Sequence, residues 1–193
     1  MKLGDISLIK MGLVLTRKKA ENKYGVKKEY EVISIKNIEL DGTFNAEPLD
    51  VFYSNEILDE QYFTKEGDIL IRVSSPNTVV YIDSSKAGLL IPSYFAVITI
   101  INKDYLSKYV AWYLNTKEIK QQIKKTQSGG VTLAININTI QNLEIKHIST
   151  AKQEIVIDVE QLYRKEKKLM FNLIEEKEKL YNIVNEKIIS LED

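Results

Sequence analysis

The chain has 193 residues, of which 44% are hydrophobic and 28% are charged, and it contains no cysteine. This composition is that of a globular protein and excludes a disulfide framework and a thiolate metal site. The sequence predicts no membrane helix, which needs about 18 apolar residues, and no signal peptide. We therefore expect a cytoplasmic protein without a membrane partner.

The charges cancel in total but are unevenly distributed. The 27 basic and 27 acidic residues give a formal net charge of zero. Residues 10–28 nevertheless carry seven basic side chains against Glu21 alone, and residues 117–125 carry four against Glu118. The local potential decides where a polyanion docks. Both clusters are therefore candidate contacts for a polyanion, and ordinary solvated faces are the alternative.

The first 150 residues are predicted to form a β-rich domain. Apolar runs bounded by turn residues, such as Asp41-Gly42, indicate strands. The β-branched and aromatic residues of the runs at 88–92 and 94–101 favour buried strands. The predicted strands cover residues 30–35, 67–74, 77–83, 88–92, 94–101, 131–137 and 143–148.

Two helical segments are predicted within this domain. Apolar residues at helical spacing indicate one amphipathic helix from Tyr105 to about Lys125, with Asp104 as its N-terminal cap. A single helical turn is expected at 139–143, capped by Asn138 or Thr139.

A different pattern begins near residue 150. From Thr150 to about Ser190 there is no glycine or proline, which predicts one helix of about 40 residues and about 60 Å. Ten positions spaced alternately by four and three residues from Ile155 hold seven apolar side chains and three charged ones, Glu166, Glu176 and Lys187. This is typical of a coiled coil with polar interruptions. The predicted seam consists of Ile155, Val159, Leu162, Leu169, Leu173, Leu180 and Ile183. A helix packed lengthwise on its own domain is the alternative.

Candidate catalytic groups are few. His147 is the only histidine, so no histidine-based metal cluster is expected. The sequence has no phosphate-binding loop, no GxGxxG and no GxSxG, and Gly129-Gly130 is a weak signal. Asp68 in the sequence EGD is interpreted as a turn residue before a strand. The sequence therefore predicts a binding module rather than an enzyme, with no metal site.

Three stretches follow one another along the chain. They are KLGDISLIKMG, in which Gly12 ends the first strand, then KEGDILIRVSS, and then the stretch from DYLSKYV to IQNLEI, which contains the loop KKTQSGG. In this order they resemble the specificity subunit of type I restriction–modification enzymes. Gln153 and Ile155 match the residues that open the long helix of that family. The prolines that usually precede this glutamine are replaced here by HISTAK.

The resemblance implies an α+β fold with a target-recognition domain over 1–150 and a long spacer and dimerisation helix over 151–193. It implies that this helix forms an antiparallel coiled coil with a partner. A full-length family member has two such domains and two such helices, so this chain resembles a half subunit. A homodimer would then read a bipartite palindromic DNA site. The implied partner is a modification subunit that methylates adenine with S-adenosylmethionine, and a restriction subunit that uses ATP and magnesium is a further candidate.

The candidate DNA contacts follow from residue type and position in loops. Arginine pairs with guanine, asparagine and glutamine pair with adenine, and lysine and arginine neutralise phosphates. The candidates for base edges are Arg72, Ser74, Ser75, Asn77, Gln127 and Ser128. The candidates for phosphates are Arg17, Lys18, Lys19, Lys23, Lys124 and Lys125.

A second hypothesis remains open from the sequence. The protein could be a coiled-coil adaptor or decoy in a protein complex that does not read DNA, which the neutral total charge favours. The two hypotheses differ in where the basic clusters lie, because DNA binding needs them on one shared face. An enzyme with buried carboxylates is a third option.

Overall fold

The computed structural model describes residues 1–127 and 134–190. It divides into two compact units, Met1–Gln153 and Glu154–Asp193. The first unit contains six strands and four short helices among its described residues, and the second consists of most of one long helix. The mixed α+β class predicted from the sequence is confirmed.

A four-stranded antiparallel sheet forms the centre of the first unit. Its strands are β1 (Ser7–Met11), β4 (Ile69–Arg72), β5 (Val79–Tyr81) and β6 (Phe95–Ile100), in the order β1-β6-β4-β5. The register pairs Ala96 of β6 with Met11 on one side and with Ile71 on the other. Strands β2 (Lys28–Val32) and β3 (Asp50–Ser54) form a separate antiparallel pair.

The core lies on both faces of β4. Ile69, Leu70 and Ile71 are all fully buried, and successive residues of a strand point to opposite faces. Leu70 belongs to a hydrophobic cluster on one face together with Val80 and Val97. Helix α2 (Ser107–Leu114) packs against β5.

Two of the predicted strands are wrong, and a third is wrong in its described part. Residues 88–92 are not a regular strand, because Leu90 forms isolated bridges with both Val32 and Phe63 and so crosses between partners. In 143–148, only Glu144 forms a bridge, with Lys2. In 131–137, residues 131–133 lie outside the described residues, Ala134 forms one isolated bridge, and Ile137 begins α4 (Ile137–Gln141). The sequence interpretation also missed β3 and the short helix α1 (Leu3–Ile6).

The predicted single helix over 105–125 is two helices. Helix α2 ends before Asn115, and α3 (Lys117–Gln127) begins two residues later. The Asn115 side chain bonds Val79, accepting from its N–H at 3.1 Å and donating to its carbonyl at 2.7 Å. Asp104 does not cap α2, whose N-cap residue is Leu106. Asn136 caps α4, in place of the predicted Asn138 or Thr139, by accepting from the Thr139 N–H at 2.8 Å.

The long helix is confirmed with the predicted bounds. Helix α5 spans Thr150–Ser190 without interruption. The seven predicted seam residues are each between 50% and 67% exposed, so the apolar stripe is uncovered in the single chain. None of the helices in the described part of the chain combines the length and the apolar character needed to cross a bilayer.

Candidate nucleic-acid interface

Strand order brings distant polar segments to one end of the four-stranded sheet. Strand β1 ends at Met11 opposite Ala96, and β4 ends at Arg72 opposite Phe95. Adjacent strands lie about 4.8 Å apart, so the ends of β1 and β4 are about 10 Å apart across β6. The basic segment that follows β1 and the polar loop that follows β4 therefore leave the sheet side by side.

The β4–β5 loop, residues 73–78, is held by its own polar groups. The Nε of Arg72 donates to the Ser74 Oγ at 2.8 Å. The Asn77 side chain donates to the carbonyls of Arg72, at 3.1 Å, and of Val73, at 3.0 Å. Asn77 is buried and has a positive φ of 56°. Its amide group therefore shapes the loop, whereas Ser75 is exposed and Arg72 and Ser74 are partly exposed.

Lys120 links helix α3 to the β4–β5 loop through a hydrogen bond. Its Nζ donates to the Asn77 carbonyl at 2.5 Å and lies 3.4 Å from the Asn115 Oδ1. Burial lowers the pKa of Lys120 from 10.5 to about 8, because desolvation disfavours the charged form. The basic cluster at 117–125 thus contains one lysine that has a structural role.

The last turn of α3 has a mixed electrostatic environment. Lys124 and Lys125 are exposed. Lys125 lines a groove of about 370 Å³ together with Glu118 and Glu144, and these carboxylates weaken the positive potential there. Gln127 is the last residue of α3, and Ser128 lies outside the described residues. Beyond the gap, the Ile135 N–H donates to the Val73 carbonyl at 2.8 Å, so the chain returns to the β4–β5 loop.

The N-terminal basic cluster lies on exposed turns beside β3. Arg17, Lys19 and Lys23 are exposed. Lys18 forms an ion pair with Glu56 at 2.7 Å, in which both side chains are partly exposed. Such surface pairs contribute little to stability, so a phosphate group can compete for this lysine.

Asp68 and His147, considered from the sequence as possible catalytic groups, both pack against neighbouring residues of the domain. The Asp68 carboxylate is buried and accepts from the Lys65 N–H at 2.9 Å and the Thr99 hydroxyl at 2.7 Å, which fits its interpretation as a turn residue. The His147 ring packs edge-on against Tyr105, with centroids 5.3 Å apart. Within residues 1–127 and 134–190, no group of three or more His, Cys, Asp or Glu side chains is arranged to hold a metal ion.

The fold is similar to solved structures from type I restriction–modification systems. The HsdS subunit from Thermoanaerobacter tengcongensis matches with 14% identity and a TM-score of 0.65, over 88% of this chain and 43% of that chain. A chain from a structure that concerns complex assembly and conformational transition of the type I R-M system matches with 15% identity and a TM-score of 0.66, over the same shares. The S subunit of the type I restriction–modification system from M. genitalium matches with 14% identity and a TM-score of 0.50, over 86% of this chain and 40% of that chain.

These similarities establish a shared fold. The chain spans less than half the length of the structures it matches. The family that the sequence resembles is thus also the family of its structural neighbours. No protein-family model and no curated protein matches the chain.

Proposed function

We propose that this chain is the DNA-recognition half subunit of a type I restriction–modification complex. The observation that carries the proposal is the fold match, which covers 88% of this chain but only 43% of a solved HsdS subunit. One recognition domain and one long helix are what half of such a subunit requires. The chain itself contributes recognition and no catalysis, and this function places it in the cytoplasm.

DNA would be read at the end of the sheet where β1 and β4 terminate. Arg72, Ser74 and Ser75 supply groups that can reach base edges, and Asn77 holds the loop that presents them. Gln127 and Ser128 remain the further candidates for base contact. Phosphates would be neutralised by the cationic side chains that follow β1 and end α3, namely Arg17, Lys18, Lys19, Lys23, Lys124 and Lys125.

Two copies would pair through α5. Seven exposed apolar residues form a stripe along this helix, and burying such a stripe against an antiparallel copy gives a two-fold symmetric dimer. The helix pair, about 60 Å long, would then set the distance between two recognition domains. Because the dimer is symmetric, its DNA site would be palindromic and interrupted by a spacer.

The chemistry would come from partner subunits. A modification subunit would bring S-adenosylmethionine and methylate adenine within the recognised site. A restriction subunit that uses ATP and magnesium is the further expected partner.

Co-expression with a type I modification subunit, followed by genome-wide mapping of methylated adenines, tests the proposal. We expect a stable complex and methylation at one bipartite palindrome. A stable complex without sequence-specific methylation would support an adaptor that does not read DNA. Failure to form any complex, together with no methylation, would reject the assignment to a type I system.

A further inference from the structure

We propose that the loop formed by residues 20–27 is a second DNA-contacting element, in which the ring of Tyr24 packs against the duplex. This inference rests on the proposed function and adds a contact residue to it. Tyr24 is fully exposed, with a relative accessibility of 101%. An aromatic ring held entirely in water gains free energy when it is buried at an interface.

The loop presents this ring on a fixed backbone. Its base is closed by two hydrogen bonds, from the Ala20 N–H to the Tyr53 carbonyl at 3.0 Å and from the Lys27 N–H to the Ser54 carbonyl at 2.8 Å. At its tip, the Asn22 Oδ1 accepts from the N–H groups of Tyr24, at 3.0 Å, and Gly25, at 3.1 Å. A pre-ordered loop loses little conformational entropy when it binds a partner.

The charge around Tyr24 favours a polyanion. Residues 17–28 contain six basic side chains against Glu21 alone. Below the tip, Lys19, Lys23 and Tyr53 line a groove of about 550 Å³, which also contains the carboxylate of Glu29. Tyr53 is 47% exposed. The surface therefore combines aromatic rings with lysines, the combination with which proteins hold nucleic acid through stacking and phosphate contacts.

The position of the loop is consistent with this role. The segment that leads into it leaves the sheet at the end of β1, next to the end of β4 that carries Arg72. Lys23 and Lys27, on the two sides of Tyr24 in the chain, can pair with phosphates while the ring contacts bases or sugars.

Binding to a duplex that the wild-type protein selects from a randomised pool tests the inference. Tyr24→Ala should weaken binding about tenfold, because the ring would lose its burial against the duplex. Tyr24→Phe keeps the ring and should retain the wild-type affinity. Leu8→Ala is the control, because Leu8 is 65% exposed and lies near the start of β1, away from the end at which the loop leaves.

The outcomes distinguish a failure of the Tyr24 contact from a failure of the proposed DNA-recognition function. If wild-type protein selects a sequence and Tyr24→Ala binds it equally well, the loop is not a DNA contact. If Tyr24→Ala keeps its DNA affinity but loses capture of a modification subunit, the loop contacts protein and the DNA assignment is overturned. If the wild type selects no sequence, the proposed recognition function fails and this inference falls with it.

Discussion

The Oε1 of Gln153 accepts a hydrogen bond at 2.9 Å from the backbone N–H of Leu106, the N-cap residue of α2. The same side chain donates to the carbonyls of Asp104, at 2.7 Å, and Ile148, at 2.8 Å. Gln153 is fully buried. One buried amide therefore forms hydrogen bonds with three backbone groups, those of Asp104, Leu106 and Ile148.

Gln153→Leu should destabilise the first unit by about 3 kcal/mol, because it removes three hydrogen bonds that each contribute about 1 kcal/mol. The free energy of unfolding from urea titration measures this loss. Lys152→Leu is the matched control, since Lys152 precedes Gln153 on α5 but is exposed. Equal stability of the two variants would contradict a capping role for Gln153.

A second prediction compares two glycines with positive φ. Gly42 has a φ of 81°, and a Cβ added there would lie 2.1 Å from the Val79 carbonyl oxygen. Gly67 has a φ of 91°, and a Cβ added there would meet nothing within 4 Å. Gly67→Ala should cost only the backbone strain of about 1–2 kcal/mol. Gly42→Ala adds a clash with a backbone atom, so it should cost more than about 3 kcal/mol.

Thermal and urea unfolding of both variants measure the difference. If Gly42→Ala is no less stable than Gly67→Ala, the close packing of the 41–43 turn on β5 is not present in solution.

The long helix could be predicted from sequence because its signal is local. Over Thr150–Ser190 the sequence has no helix breaker and an apolar period of seven residues, and no tertiary contact is needed to interpret either feature. The segment at 88–92 is the opposite case. Its apolar residues are buried, as expected, but the Leu90 N–H donates to the Glu31 carbonyl and the Ile91 N–H to the Tyr62 carbonyl. The burial of this segment was therefore predictable from sequence. The change of backbone hydrogen-bond partner between Leu90 and Ile91 was not.

The candidate site shows a similar division. The types of residue that suit DNA could be chosen from sequence, but the strand order β1-β6-β4-β5, which brings the ends of β1 and β4 to one end of the sheet, is not revealed by local patterns. Asn77 shows a second limit. A polar residue in a loop is a reasonable candidate for a DNA contact, yet the Asn77 side-chain amide already donates hydrogen bonds to the carbonyls of Arg72 and Val73. Tyr24 was missed because a single tyrosine carries no sequence signal of exposure.

The partly buried Lys120 predicts a pH dependence of stability. Its pKa is about 8 in the folded chain and 10.5 in the unfolded chain, so between these values the unfolded chain binds more protons. Stability then rises with pH between about 8 and 10.5, because the free energy needed to deprotonate Lys120 on folding falls to zero as the unfolded chain also loses this proton near 10.5. Burial raises the pKa of Tyr113 to about 12, so this phenol stays protonated in the folded chain throughout the window.

Urea titrations between pH 7 and 10 test this sign. The wild type should gain stability relative to Lys120→Met as the pH rises from about 8 to 10. Lys117→Met is the control, since Lys117 lies on the same helix and is exposed, and its difference from wild type should stay constant. A flat difference for Lys120→Met would mean that the Asn77 carbonyl offsets the effect of burial on the charged amine, and a falling difference would mean that it outweighs burial.

Pairing through α5 predicts a concentration-dependent dimer. Leu173→Asp places a charge in the seam of both copies, and each leucine that leaves the interface removes about 1.5–3 kcal/mol of apolar burial. The dimer should therefore weaken by more than about tenfold. Asn182→Asp adds the same charge nine residues further along, which at 3.6 residues per turn is the opposite side of the helix.

Sedimentation equilibrium distinguishes these variants. We expect dimers for the wild type and Asn182→Asp, and monomers for Leu173→Asp. A wild-type chain that is monomeric at micromolar concentration, or a Leu173→Asp variant that remains dimeric, would contradict pairing through this seam.

The final prediction separates base reading from phosphate binding. Arg72→Ala should lose discrimination at one base pair of the selected duplex, at a cost of about 1–3 kcal/mol, and should leave binding to unrelated duplexes unchanged. Arg17→Ala should weaken binding to every duplex and reduce the slope of affinity against salt by about 0.9.

Ser74→Ala is the companion variant, because it removes the hydrogen-bond partner of the Arg72 Nε but leaves the guanidinium in place. If Ser74→Ala and Arg72→Ala lose specificity equally, base reading requires the Ser74 hydroxyl as well, either to orient Arg72 or to contact the base itself. If Arg72→Ala weakens all duplexes uniformly, Arg72 binds phosphate and the base contact must come from another residue of the β4–β5 loop.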